Sequence, residues 1–338
     1  MSGRRLILNA FGDLRVQEGP EPALPGPREV ILAPAAVGIC GSDVHGYAGT
    51  SGRRSPGMVM GHEAAGRIES VGPGVEGLAP GASVALNPVV TCGKCDACRS
   101  GRDNLCEQRR LYGCVPGLDG AFADRMVVRA DNVVALRGGA PLEYAALAEP
   151  LAVGTHAVRI AGVGPGSRVL VVGGGPIGAG AALAARRAGA ERVLVSEPET
   201  HRRAVLTAMG LDAVEPAGVP PQAAEVALEC VGLPATTAAA LEGVEPGATV
   251  VMVGITTPEL VLPSAALVMG ERRLVGSAVY TRSDFEKTVA SIDAGELDVG
   301  PLIEARVTLP EVIDAFAGYS DGSLTAMKTL WIEPAIQR

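Results

Sequence analysis

The stretch "RVLVVGGGPIGAGAALAARRAGAERVLVSEPE", from Arg168 to Glu199, constrains the fold more than any other part of the chain. An apolar run ends in a glycine turn, an alanine-rich helical segment follows, and a second apolar run closes the unit. Further apolar runs come after it: "EVALECVG", "ATVVMVGI" and "RRLVGSAVY". Strands separated by helical stretches imply an α/β fold with a doubly wound parallel sheet. Gly173, Gly175 and Gly178 fit G-x-G-x-x-G, with Pro176 and Ile177 inside the turn. Such a turn lets the backbone approach a pyrophosphate at a helix N-terminus. Glu197 ends the second run, where a carboxylate can accept hydrogen bonds from adenosine ribose hydroxyls and repel the extra phosphate of NADP. Arg202 and Arg203 follow in "ETHRR", and an arginine there can serve either cofactor. The balance favours NAD over NADP.

The region before this unit reads differently. "EVILAPAAVG", "GRIESVG", "ASVALNP" and "FADRMVVRA" are short apolar runs broken by glycine and proline, the pattern of antiparallel β structure. With 338 residues, two domains are expected: 1–152 with 281–338, and 153–280. The helix-like "SDFEKTVASIDAG" and the closing "KTLWIE" are assigned to the first. A formal charge of −8 and the lack of a basic run argue against nucleic acid. The N-terminus is neither a secretory signal nor a membrane span, so a cytoplasmic protein with reduced thiols is expected.

Four of the seven cysteines fall in "TCGKCDACRSGRDNLC". Cys92, Cys95, Cys98 and Cys106 suit the closed tetrahedral shell of a structural zinc. An iron–sulfur cluster fits less well, because the bacterial ferredoxin run ends in C-x3-C-P whereas Cys106 comes later and precedes Glu107. Cys114 reads as a small buried residue and Cys230 as part of the sheet's fourth strand.

Around Cys40 the chain reads "VGICGSDVHGY", and later "VMGHEAAG". Cys40, His62 and Glu63, with Asp43 and His45 close by, are metal-capable groups embedded in apolar sequence. One thiolate and one imidazole leave a zinc under-coordinated; a third protein ligand and a water would complete a catalytic shell.

"CGSDVH", "GHEAAG", the cysteine loop and "GGGPIG" occur in the order that resembles the zinc-dependent medium-chain alcohol and polyol dehydrogenases, in their sorbitol- and butanediol-dehydrogenase-like branch. The resemblance implies a GroES-like catalytic domain beside a Rossmann domain, with the active site in the cleft between them. It implies that Cys40, His62 and the Glu149 of "ALAEPLAVG" bind catalytic zinc, with Glu63 beside the metal as an alternate or water-mediated ligand. Asp43 would hold an imidazole in its ligating tautomer. Ser42 and His45 would carry the proton of the oxidised alcohol to solvent. Val231, Val253 and Ala278 would line the nicotinamide end. Two zinc ions per chain, an alcohol or ketone substrate and a homodimer or homotetramer follow from the same resemblance.

The implied reaction is reversible oxidation of a secondary alcohol, a polyol or vicinal diol. A biosynthetic aminocyclitol, sugar or threonine dehydrogenase would share the motifs. Where sorbitol-type members carry an arginine before the tyrosine of "AVYTR", this chain has Val279, and Gly41 replaces a basic residue of the liver-type members. A scaffold kept only for binding would show a damaged metal or nucleotide site, and every ligand position here holds a suitable residue. His156 reads as a helix-packing residue and His201 as exposed.

Overall fold

The computed structural model describes residues 2–20, 22–255 and 259–333. The chain forms two units, Met1–Glu149 with Phe285–Arg338, and Pro150–Asp284. It passes from one to the other inside two helices, Ala148–Ala161 and Arg282–Asp293. Among the described residues no helix is long and apolar enough to cross a membrane.

The second unit holds six parallel strands in the order Asp212–Val214, Arg192–Ser196, Arg168–Val172, Ala224–Glu229, Val244–Met252 and Arg273–Gly276. Both faces of such a sheet are covered, which explains the unbroken apolar runs. Leu170, Leu194, Ala227, Leu241 and Val250 form its core. Chain order reverses between Arg168–Val172 and Ala224–Glu229, and at such a reversal the carboxyl ends of the strands open a crevice. The helix Pro176–Arg187 starts there, with proline in its first turn and arginines in its last. Gly178 lets it pack close, since a Cβ at that position would come 1.8 Å from the Gly173 carbonyl oxygen. Cys230 lies just past the strand expected to contain it, which ends at Glu229.

The first unit is organised around the strand Glu29–Gly38. It pairs antiparallel with Glu63–Val71, with Met126–Arg129 and with Lys328–Ile332. Four of the chain's ten aromatic residues meet beneath this sheet: Tyr47 and Phe122 each lie edge-on to Phe316, and Phe122 contacts Trp331. In a chain so poor in aromatics these rings, with Leu6, Leu32 and Met60, supply much of the core volume. The register sets Gly38 opposite Glu63 on one side and opposite Leu330 on the other. Cys40 just after Gly38, His62 just before Glu63, and Lys328 therefore share one end of three neighbouring strands.

Candidate active site

At that end of the sheet, ligand atoms of Cys40, His62 and Glu63 all lie within 4.8 Å of one another. Cys40 precedes the helix Gly41–Tyr47, and His62 and Glu63 enter the next strand. The Asp43 carboxylate stands 3.2 Å from His62 Nδ1, and neither Asp43 Oδ2 nor His62 Nδ1 makes another hydrogen bond. A carboxylate behind one ring nitrogen leaves the other to ligate, the usual arrangement behind a metal-bound histidine. Burial opposes a charge on His62, yet Asp43, Cys114 and Cys40 outweigh it and raise its pKa well above the ordinary imidazole value. That surplus of negative charge suits a cation, so the donor set fits zinc.

Two basic side chains, neither visible as a motif, support this group. Arg54 Nη2 donates to Asp43 at 2.6 Å, to Ser42 Oγ at 3.2 Å and to Cys114 Sγ at 3.2 Å, with the arginine and Asp43 almost wholly buried. Burial opposes ionisation of Asp43, but His62 and Arg54 hold its pKa below the usual carboxylate value. Lys328 Nζ donates to both carboxylate oxygens of Glu63. Cys114 is buried as expected, but it packs against a cation and not only against apolar groups. The available signals were slight: Arg54, the second of two arginines in "SGRRSPGMVMG", and Lys328, one of three lysines.

Ser42 donates to Cys40 Sγ at 3.3 Å, and His45, one turn further along the same helix, is exposed like Ser42. Glu149 is buried in the first turn of Ala148–Ala161 but is not part of the close group.

The second metal-capable group is Cys92, Cys95, Cys98 and Cys106. All seven cysteines are free, and Cys98 Sγ lies 3.5 Å from Cys95 Sγ and 3.9 Å from Cys92 Sγ. Disulfide sulfurs would sit about 2 Å apart, whereas a tetrahedron with Zn–S of about 2.3 Å has edges of about 3.8 Å. The sulfurs fit zinc. Backbone N–H groups of Lys94 and Cys95 lower the Cys92 thiol to about 6, while burial and the Cys95 thiol push Cys98 up to about 12. Such a split is expected of neighbouring thiols that cannot all ionise without a cation.

In the second unit Gly173, Gly175, Pro176, Ile177 and Gly178 form the strand-to-helix turn. Glu197 is buried behind it, accepting from Gly174 N at 2.7 Å and from Glu199 N at 2.9 Å. An ionised carboxylate has about four lone-pair positions, so both oxygens can still receive ribose hydroxyls. Arg203 ties the carbonyls of Glu197 and Pro198 to Glu215, while Arg202 reaches over Gly175 and its Nε is buried without a hydrogen bond. Val231, Val253 and Ala278 lie just past the carboxyl ends of three adjacent strands. Sequence reasoning missed Glu229, whose buried side chain accepts from Val231 N and Gly232 N and shapes the first of those loops. Val279 takes a φ of +52°, costly for a β-branched residue. His156 is buried, its Nδ1 2.6 Å from an Asp284 carboxylate oxygen, so it is held by a hydrogen-bond contact as well as by packing, and His201 is exposed.

Two family models match the chain: the alcohol dehydrogenase GroES-like domain over residues 26–138 and the zinc-binding dehydrogenase over 176–294. The chain is 34% identical to L-idonate 5-dehydrogenase of Vitis vinifera over 94% of its length and 91% of that protein. It is 35% identical to sorbitol dehydrogenase of Arabidopsis thaliana, over 90% and 89%. Among solved structures, a zinc-binding dehydrogenase from Sinorhizobium meliloti bound to NADP matches with a TM-score of 0.89 and 27% identity, over 98% of this chain and all of that one. An alcohol dehydrogenase of E. coli CFT073 complexed with NADH matches with a TM-score of 0.89 and 25% identity, over 98% and 100%. With both halves matched and whole-length relatives above 30% identity, the chain belongs to the zinc-dependent, NAD(P)-using medium-chain alcohol and polyol dehydrogenase family.

Proposed function

We propose that this dehydrogenase oxidises a secondary alcohol of a polyol or vicinal diol to the ketone, reversibly, and passes the hydride to NAD. The observation that carries the reading is the close Cys40–His62–Glu63 group, its half-buried thiol beside a buried imidazole and carboxylate, with Asp43 behind the imidazole. Cys40, His62 and Glu149 would hold the catalytic zinc, with Glu63 beside it, and the four-cysteine loop a second, structural zinc. Zinc there would supply the Lewis acidity that lowers the pKa of a substrate hydroxyl. NAD would supply the hydride acceptor, and the Gly173–Gly178 turn, Glu197 and Arg202 would hold it.

Ser42 would relay the substrate's proton, its oxygen accepting from the alcohol as its own hydroxyl hydrogen, held on Cys40 Sγ in this structure, is released toward His45 and water. Its oxygen has two lone pairs, Arg54 occupies one, and the other is left to accept from the alcohol. His45, exposed on the same helix, then releases a proton to water, a step suited to an imidazole. The relatives named for L-idonate and sorbitol support a polyhydroxylated substrate. Val279, standing where sorbitol-type members carry arginine, favours a smaller diol. A second reading, NADP as cofactor, is favoured by one observation: the buried Nε of Arg202 without a partner beside the glycine turn.

The subunit partner in this reading is a second copy of the chain, in a homodimer or homotetramer. Ile255, Val261, Val268 and Met269 are exposed in the stretch of chain leading into the sheet's edge strand Arg273–Gly276, and exposed apolar side chains with an open sheet edge are features that a second copy could cover. The free cysteines are consistent with a cytoplasmic location.

The test is nicotinamide reduction by zinc-loaded protein with butanediols, sorbitol, xylitol, threonine and cyclitols, each with NAD and with NADP. Turnover of one polyol or diol class, at least about tenfold better with NAD, is the expected outcome, since the Glu197 carboxylate disfavours a 2′-phosphate. Oxidation of threonine alone, or of nothing by protein that binds both zinc and NAD, would overturn the substrate assignment.

A further inference from the structure

We propose that the first unit carries a second ligand site, a pocket beside its N-terminal hairpin in which Arg5 binds the carboxylate of a small organic acid. The site shares no residue with the dehydrogenase centre and stands whether or not the substrate reading above holds.

Two arginines are set apart among the described residues. Arg5 and Arg202 each bury Nε without a hydrogen bond, and no other guanidinium nitrogen of either meets an acceptor. A buried donor left in this way calls for a partner. Arg202 reaches over Gly175 at the glycine turn, where an anionic cofactor would meet it. Arg5 belongs to the other unit and calls for a different anion.

Arg5 lines a pocket of about 380 Å³, within the usual size range of small-molecule sites. Its lining residues all fall between Gly3 and Val127, and none belongs to the Cys40 group. Arg4 and Arg125 line it too, but Asp124 and Glu333 engage Arg4, and Glu69 engages Arg125. Three guanidinium groups thus stand against one lining carboxylate, that of Asp119, and only Arg5 has its donors uncommitted. Pro20, Val59 and Leu118 add apolar wall. A planar fork matches a carboxylate through two parallel hydrogen bonds, and the apolar wall suits a short carbon body. A bare phosphate would use the fork and leave the wall uncovered.

The hairpin is built to place the guanidinium there. Leu6 and Leu8 are fully buried, so Arg5 emerges on the opposite face of the strand Ser2–Ala10. The register pairs Gly3 with Gly19 on the strand Asp13–Pro20. A Cβ on Gly19 would come 1.9 Å from Arg5 Nη2 and 2.5 Å from Nε, so the guanidinium lies across bare backbone. Glycine weakens a strand, and its presence inside one marks a close approach.

The experiment titrates benzoate, hexanoate and succinate calorimetrically into protein saturated with reduced nicotinamide cofactor, so that Arg202 is already occupied. At least one of the acids should bind once per chain. Arg5→Gln should weaken it by about tenfold or more, the loss expected of a charge-assisted pair. Gly19→Ala keeps every charge but puts a methyl group where the guanidinium lies, and should weaken it as well. Cofactor affinity and turnover should match wild type in both variants. An Arg5→Gln protein that binds the acid as tightly as wild type overturns the proposal. Should that variant fail to fold, unchanged binding in Gly19→Ala does the same. Silence with all three acids overturns it too, and inorganic phosphate bound as tightly as the best acid would overturn the assignment to an organic carboxylate.

Discussion

The four sulfurs of the cysteine lobe come from one continuous stretch, Cys92–Cys106, and three of the four are only partly buried. The Cys40 group draws on the ends of separate strands, and its lysine lies 265 residues from Glu63 in sequence. The lobe is held by its own turns: Cys92 N faces Cys106 Sγ, Cys95 N faces Cys92 Sγ, and exposed Asp96 and Arg99 pair beside them. The Cys40 group is held by buried charges, Arg54 on Asp43 and Lys328 on Glu63. A closed all-thiolate shell needs only local spacing and a metal. A shell that keeps a position open needs its ligands fixed by something other than the metal.

That contrast is broken most directly by removing one sulfur from each group. Cys40→Ser should lower turnover by about 10³-fold, the rate equivalent of roughly 4 kcal/mol of charge stabilisation, and leave one zinc per chain with little change in melting temperature. Cys98→Ser should also leave one zinc, but with a melting temperature lower by about 10 °C, equivalent to roughly 3–4 kcal/mol for a domain of this size. Metal content, turnover and a thermal melt on the two variants separate the roles. Equal losses of activity at equal stability would erase the distinction.

Arg54 tests whether buried charge holds the Cys40 group. Arg54→Met leaves Asp43 buried with only His62 beside it, and breaking one side of a buried pair costs about 3–5 kcal/mol. Arg54→Lys keeps the charge but cannot span Asp43, Ser42 and Cys114 together, so it should recover part of the stability and less of the rate. Denaturant melts and steady-state rates on both variants decide it. A methionine variant as stable as wild type would mean that Asp43 needs no counter-charge.

Much of this was legible in the sequence because it is local. The glycine turn, the CGSD and GHE blocks and the cysteine spacing each place chemistry within a few residues. Parallel strands read as unbroken apolar runs, and the strand Glu29–Gly38 coincides with the run "EVILAPAAVG". The illegible parts are long-range. Nothing near Lys328 announces Glu63, and nothing near His156 announces Asp284, which also accepts from Arg159 and Thr281. Val279 reads as an ordinary strand residue, yet tertiary context holds it at positive φ. Glu229 reads as a stray carboxylate in an apolar strand, and only the fold turns it onto the backbone of the next loop. Glu149 is proposed on resemblance alone; its own neighbourhood, an apolar helix start, does not single it out, and it stands outside the close Cys40–His62–Glu63 group.

The smallest expected effect sharpens the comparison from the other side. Arg99 donates to Asp96 at 2.6 Å and to the Lys94 carbonyl, closing the turn that carries Cys95 and Cys98, but its side chain is 65% exposed and that of Asp96 is 94% exposed. A solvated pair three residues apart on a helix contributes about 0.5 kcal/mol or less, because water screens the charges and two long side chains lose freedom. Arg99→Met should therefore shift the melting temperature by about 1 °C at most and leave zinc release from the lobe unchanged, whereas Arg54→Met removes a contact of the same nominal length with several-fold greater effect. Both contacts measure 2.6 Å, so any difference between the variants reports burial and not distance. If Arg99→Met instead sped metal loss from the lobe, the lobe would depend on outer-sphere charge as the Cys40 group does, and the two sites would differ in degree only.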